Sequence, residues 1–400
     1  MDMNFFDPKV IADPYPYYDE LHLQGPIVRN DLFGAWMVAA HEHALAILRD
    51  PTTFSSVGIA QMATDRVDAF GGTPTMLFTD PPDHERLRGV VQQAFKPKAV
   101  GQLEPRVRQI VDELLAPVRS GDAYDVVEQL AYPLPVIVIA EMLGVPSDDR
   151  PLFKEWSDAL INGINETASM EDQERSRQAG EELREYFGRE IAARRARPVD
   201  DLVSRMVHAN EVEGTLSDAE LLASCVLLLV AGNETTTKFI GNMALYLAEH
   251  PDVRTRLAED PTKMAKGFEE MVRLVGPAQA TMRVARTDTE IAGTPVAEGE
   301  MVFVMLAAAN RDPNVFPDPT RADVERWPNA HLGFGHGIHF CIGAQTARLE
   351  AQVGFEQLLR VAPEYDLAIP AGELRYAPSF FLRGLESLPV EPAPRPVAAQ

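Results

Sequence analysis

Two cysteines in 400 residues, Cys225 and Cys341, are too few for a disulfide framework and match a reducing compartment. Basic side chains are also scarce: 37 Lys and Arg stand against 60 Asp and Glu, a formal net charge of −23. A chain so acidic repels nucleic acid and anionic membrane surfaces, which argues against both as partners. Long apolar runs are missing too. The uncharged apolar stretch worth testing as a span, Ala223–Gly232, is about half of a bilayer span. The N-terminus, MDMNFFDPKVIADPYPYYDE, lacks the basic start and apolar segment of a secretory leader. A cytoplasmic protein without a membrane anchor is therefore expected. What is present is an ordinary globular composition, 46% hydrophobic and 24% charged, long enough to bury roughly three quarters of its unfolded surface.

Neither repeats nor a Gly/Ser-rich linker divides the chain, so residues 1–390 are read as one domain and 391–400 (EPAPRPVAAQ) as a disordered tail. The first hundred residues are mixed, with short β-type runs in Pro26–Asn30 and Ala35–Ala39 and a helix over His41–Arg49. Beyond Pro82 helical periodicity dominates: His84–Phe95, Val107–Arg119, Asp149–Asn165, Met170–Arg194 and Asp201–Asn210. Glu290–Gly299 reads as strand–turn–strand, Ala344–Val361 as a helix and Phe380–Val390 as a terminal hairpin.

Ser217–His250 is the most informative helix. Ser217 and Glu220 form a capping box and Pro251 ends it, predicting a rod roughly 50 Å long. Its first half is apolar on every face and must be buried. Its centre, Ala231-Gly-Asn-Glu-Thr-Thr-Thr237, is polar, weakens helical hydrogen bonding and invites local opening. Function is one explanation of such an interruption; a satisfied polar cluster in the core is the other.

Phe334-Gly-His-Gly337-Ile-His339-Phe-Cys341-Ile-Gly343 is a glycine-rich loop that delivers one cysteine to a helix start. Amides there stabilise a thiolate, and glycines let a flat ligand approach the backbone. With no second Cys or His at zinc spacing, a single-thiolate metal centre fits better than structural zinc. Taken alone, Cys341 would equally be a small buried hydrophobe.

This loop, as FxxGxHxCxG, resembles the haem-binding loop of the cytochrome P450 monooxygenases. Three further segments match in order. Ala231-Gly-Asn-Glu-Thr235-Thr resembles the acid–alcohol signature. Glu270-Met-Val-Arg273 resembles ExxR, although such a pair alone is an ordinary i,i+3 surface contact. Ala309-Asn-Arg-Asp-Pro313 with Glu325-Arg-Trp-Pro328 resembles the meander that supplies Arg326 as third partner.

The resemblance runs from about Asp13 to Val390. It implies a mainly α fold with small β-sheets (α+β), the triangular-prism haem-thiolate architecture with a long central helix. It implies haem b with Cys341 as iron ligand and Phe334 and Gly343 in the haem loop. His84, Arg88, Arg283 and His339 would serve the propionates. Thr235 would hydrogen-bond dioxygen or a water beside it, and Glu234 would relay protons from solvent by swinging away from a surface partner that the sequence does not name. Leu227, Val230, Ala231, Gln279, Thr281, Phe380 and Phe381 would line a pocket, with Met62–Leu77 and Leu160–Ile164. The implied substrate is a hydrophobic small molecule: terpenoid, steroid-like, fatty-acyl or aromatic.

Electrons would come from an external acidic ferredoxin and its reductase, drawn to Arg86, Arg88, Lys96 and Lys98 in His84–Lys98. A scattered solvated basic face is the alternative reading of those cations. A peroxide-driven enzyme or a haem sensor are the alternative functions. Glu234 with Thr235 weighs against the first, because peroxide needs no such relay.

Overall fold

A capping box starts the longest helix of the computed structural model, which describes residues 3–57, 70–92, 95–120, 122–164 and 168–392. The Glu220 amide donates to Ser217 Oγ at 3.2 Å and the Ser217 amide donates to Glu220 Oε2 at 2.8 Å. The helix then runs unbroken over Asp218–Glu249. Its first half, Leu221–Leu229, packs among Phe153, Trp156, Leu183 and Phe187 on the helices Arg150–Ile164 and Met170–Ala196. Its second half, Phe239–Leu247, packs among Leu130, Phe268, Met271, Phe355 and Leu358. One rod thus serves as the spine of two apolar clusters.

The local opening expected at Ala231–Thr237 is not observed. Asn233 donates to Ser157 Oγ (2.9 Å), Thr237 donates to Asn233 Oδ1 (3.2 Å) and Thr235 donates back to the Ala231 carbonyl (3.2 Å). These bonds satisfy the polar side chains without taking backbone partners from the helix.

A five-stranded sheet lies to one side, ordered Ile27–Asn30, Ala35–Val38, Met301–Val304, Thr281–Ala285 and Phe54–Ser55. Only Ala35–Val38 with Met301–Val304 is parallel among its pairings. Thr289–Ile291 and Thr294–Val296 form the expected strand–turn–strand, with Ala292 and Gly293 both at positive φ as a tight hairpin turn requires.

The helices at His41–Arg49 and Ala344–Val361 have the expected bounds. Val107–Arg119 is instead two helices, Glu104–Leu114 and Ala116–Ser120. The terminal hairpin is also corrected. Residues 380–388 make only isolated bridges, Ala278 with Leu382 and Tyr376 with Leu385. Pro389–Pro392 pairs with Tyr124–Asp125 and Tyr365–Leu367, because those distant strands offer it two edges. Glu391 and Pro392 therefore belong to a sheet, and the remaining tail residues, 393–400, lie outside the described residues.

Candidate active site

The cysteine loop is shaped by glycines at positive φ. Gly335 sits at 67° and Gly337 at 70°. A Cβ on Gly337 would come within 2.2 Å of the Leu48 carbonyl oxygen, so the loop lies against the helix His41–Arg49 only because that side chain is missing. The Cys341 amide donates to the Phe334 carbonyl (2.9 Å), closing the loop. Gly343 then caps the helix that begins at Ala344. Cys341 keeps accessible surface although it lies deep in the molecule, as a side chain facing an internal cavity does. Burial pushes its thiol pKa up, against the amides of Gly343 and Ala344 and the charges of Arg88 and Arg348, which stabilise a thiolate. The helix start alone does not ionise it; coordination to a metal would.

Around this loop stand polar groups that lack an anion. His84 is 1% exposed, and neither of its ring nitrogens has a hydrogen-bond partner. Its ring stands 4.4 Å from that of His339. His339 meets Ser56 Oγ at 3.0 Å. Burial, then Arg283, His84 and Arg88, hold its pKa down at about 3. Arg283, equally interior, donates to Thr281 Oγ1 and the Met282 carbonyl, and burial lowers its pKa to about 10. Arg88 donates to the Phe340 carbonyl at 2.7 Å. Buried cations and donors of this kind call for an acidic ligand.

Below the loop, Glu270 and Arg273 are fully buried and joined by two hydrogen bonds of 2.8 and 2.7 Å. Arg326 reaches both carboxylate oxygens at 3.1 Å, and Asn329 and the Asp323 amide add two more donors. The surface-pair reading of Glu270–Arg273 is thereby excluded. Arg273 also donates to the Asn310, Pro319 and Arg321 carbonyls, tying the long loop before Cys341 to the helix Met264–Val275.

The family model for cytochrome P450 matches residues 14–362. The chain belongs to the cytochrome P450 family. It is 38% identical over 381 residues to cytochrome P450 109 of Bacillus spizizenii, covering 94% of this chain and 91% of that one. Among solved structures, P450BioI in complex with acyl carrier protein ligated to hexadec-9Z-enoic acid is 35% identical with a TM-score of 0.87, over 96% and 99% of the two chains. CYP109E1 from Bacillus megaterium in complex with testosterone is 36% identical with a TM-score of 0.86, over 97% and 100%.

P450 membership makes this a haem-thiolate monooxygenase of the bacterial type, with dioxygen, a small-molecule substrate and a redox partner. The residues present fit the group: one interior sulfur faced by amides, a histidine with two unpartnered nitrogens and an interior arginine whose hydrogen bonds go to a hydroxyl and a carbonyl.

Other expected residues are deployed differently. On the long helix Ala231 and Thr235 lie one turn apart on one face and keep exposed surface, while Leu227 is buried and Val230 half-buried behind them. Thr281 and Phe381 are half-buried. Gln279 is not free to meet a substrate: it accepts from the Tyr18 hydroxyl (2.7 Å) and donates to Gly276 (2.7 Å) and Pro277 (3.2 Å). Phe380 is fully buried and stacked on Phe5 at 4.4 Å, so it belongs to the N-terminal aromatic core. Of Met62–Leu77, residues 62–69 lie outside the described residues, and Met76 is packed in the core. In Leu160–Ile164, Leu160 is likewise a core residue.

Arg86 also departs from expectation. It forks to Asp83 (2.8 Å) and Glu220 (2.7 Å), so two carboxylates cancel the cation counted toward a docking face. Lys96 and Lys98 are exposed. Two participants escaped the sequence reading. Glu269 binds His331 and Arg348, and the Arg348 guanidinium lies 4.6 Å over the Phe334 ring. Lys238 pairs with Glu234. Only the second was signalled by charge spacing, Glu234–Lys238 at i,i+4; the partners of Glu269 lie 62 and 79 positions away.

Proposed function

We propose that the protein binds haem b through Cys341 and oxidises an extended hydrophobic substrate, fatty-acyl or steroid-like, with electrons from an external ferredoxin. The observation that supports the cofactor assignment is the convergence of His84, buried with two unpartnered ring nitrogens, and the interior cation Arg283 beside the loop that presents Cys341. In this reading His84, Arg88, Arg283 and His339 neutralise and orient the propionates, replacing water as partners. The bound haem supplies dioxygen activation and oxygen-atom transfer.

The chain does the rest. Glu270, Arg273 and Arg326 hold the segment that carries Cys341, so the sulfur stays in register with the helix start. Amides of Gly343 and Ala344 temper its charge. Thr235, whose hydroxyl donates to the Ala231 carbonyl, would turn it toward dioxygen or a water on that face, and Glu234 would resupply the proton from solvent. Ala231 offers little bulk on the same face, which leaves room for substrate. Lys96 and Lys98, next to the proximal helix Asp83–Gln92, supply the attraction for an acidic donor protein.

Support for the substrate class comes from the apolar character of Leu227, Val230, Ala231 and Phe381, and from the two structural neighbours, one in complex with acyl carrier protein ligated to hexadec-9Z-enoic acid and the other with testosterone. The test is a spectral titration of the haem-loaded protein with myristic acid, testosterone and a small aromatic. A low-to-high-spin shift at micromolar ligand with either of the first two is expected. A response to the aromatic alone overturns the substrate class. A ferredoxin unable to support turnover, where a fused flavin reductase can, overturns the donor.

A further inference from the structure

Phe334 opens the cysteine loop with its ring enclosed. Phe268 is stacked with it at 6.3 Å, His331 stands at 6.0 Å, and the Arg348 guanidinium lies over the ring at 4.6 Å. One carboxylate, that of Glu269, holds the last two. Arg348 donates to it through Nε (2.6 Å) and Nη2 (3.0 Å), a two-pronged contact that fixes the guanidinium in place. The Gly333 amide donates to His331 Nδ1 (3.2 Å), so that nitrogen carries no proton. Nε2 carries it and donates to Glu269 (2.9 Å), and the imidazole is neutral. The cluster therefore holds one cation and one anion, and the cation is the member laid on the loop. The Arg348 and Glu269 side chains are only 22% and 24% exposed, so solvent ions screen them less than a surface pair.

Arg348 is linked to the sulfur along the chain and across it. It stands in the second turn of the helix Ala344–Val361, which follows directly on Cys341-Ile-Gly343. The Cys341 amide donates to the Phe334 carbonyl (2.9 Å), so the residue beneath the guanidinium is bonded to the residue that carries the sulfur. The Arg348 charge reaches far enough to favour a thiolate there.

A fixed cation beside a redox centre favours the state with one more electron, and a fixed anion the state with one fewer. We infer that Glu269 and Arg348 together set the reduction potential of the bound haem: Arg348 raises it, Glu269 lowers it, and the fork between them fixes the place of both charges. In the step concerned, one electron arrives from the ferredoxin-type donor and the charge at the site falls by one, with no bond made or broken. Neither residue exchanges a proton or touches the reacting atoms; they are positioning residues that act through charge. This rests on the reading given above, in which Cys341 ligates the iron.

The experiment is an equilibrium redox titration of the haem-loaded, substrate-free protein at fixed pH and ionic strength, comparing wild type with Arg348→Met, Arg348→Lys and Glu269→Gln. Each protein is first reduced and exposed to carbon monoxide, and the long-wavelength Soret band certifies thiolate ligation. Its absence from wild type overturns the ligand reading and this inference with it. With the band present, Arg348→Met is expected to move the ferric–ferrous equilibrium about fivefold toward ferric, and Glu269→Gln about fivefold toward ferrous. Arg348→Lys keeps the charge and is expected to stay within about twofold of wild type, although it loses the fork. A cluster that served only to pack Phe334 would loosen the loop in both charge-removing variants alike. Shifts of the same sign in Arg348→Met and Glu269→Gln, or none beyond about twofold, with the Soret band intact, overturn the role of the pair and leave the ligand reading standing. Should Glu269→Gln fail to load haem, the two arginine variants decide: an equal shift in both, or none in either, overturns it.

Discussion

His84 and His339 stand ring to ring at 4.4 Å, and neither nitrogen of His84 finds a partner in the protein. Burial, then the charge of Arg88, lower the His84 pKa, which favours the uncharged ring in the ligand-free protein. The arrangement is costly in the absence of a ligand.

Arg283→Met should act with opposite signs on the two forms of the protein. The arginine is interior and has no carboxylate partner in an ion pair. Its removal should leave the apo-protein melting no lower than wild type, and haem affinity should fall about tenfold or more. Melting curves with and without haem, together with haem transfer to apomyoglobin, check both halves.

Cys341→Ser should abolish the long-wavelength Soret band of the reduced, CO-bound protein, because a hydroxyl cannot supply the thiolate. Retention of that band would remove Cys341 as ligand.

Thr235→Ala should keep haem content and the substrate-induced spin shift, since Thr235 bonds only to the Ala231 carbonyl of its own helix. Product formation should drop on the order of 100-fold while electrons are diverted to hydrogen peroxide. Tight coupling in this variant would take the hydroxyl out of the proton path.

Glu270→Gln leaves Arg273 and Arg326 with no anion in an interior site and should cost about 3–5 kcal/mol. Burial raises the Glu270 pKa, but the hydrogen bonds and charge of Arg273 outweigh it and the net shift is downward. Urea unfolding of the apo-protein measures the loss. A change below about 1 kcal/mol would mean the network is dispensable for stability.

Acid should act through the neighbouring Glu269. Burial raises its pKa, yet hydrogen bonds from His331 and Arg348 bring it down to about 2, from 4.5. A depressed carboxyl stabilises the fold fully above the unfolded value and loses that contribution as pH falls from about 4.5 toward 2. Wild type should therefore exceed Glu269→Gln by on the order of 2–3 kcal/mol at pH 7, with the gap closing as pH falls through this window. An unchanging gap between pH 7 and pH 3 would sever the link to Glu269 ionisation.

Much of this was legible from residues alone because the information is local. The capping box at Ser217, the glycine punctuation before Cys341 and the i,i+3 spacing of Glu270 and Arg273 are written in neighbouring letters. What was hidden depends on contacts between distant segments. Nothing near Gln279 announces that Tyr18 consumes its amide, and nothing near Phe380 announces Phe5. Arg86 reads as a free cation until Glu220 arrives from 134 positions away. Lys238 stands one turn from Glu234 in the same helix, so that pairing was written in local spacing even though no partner of Glu234 was named.

The parallel ladder between Ala35–Val38 and Met301–Val304 has a consequence for how the molecule is made. During synthesis the second strand of the chain must wait for some 260 residues before its neighbour leaves the ribosome. The cluster around Leu221–Leu229, whose buried members all lie between Met76 and Leu229, can form in that interval. Closure of the sheet that carries Arg283 is then among the last events of folding. The Cys341 loop follows it by only a few dozen residues, so both walls of the cofactor site are completed close together in time.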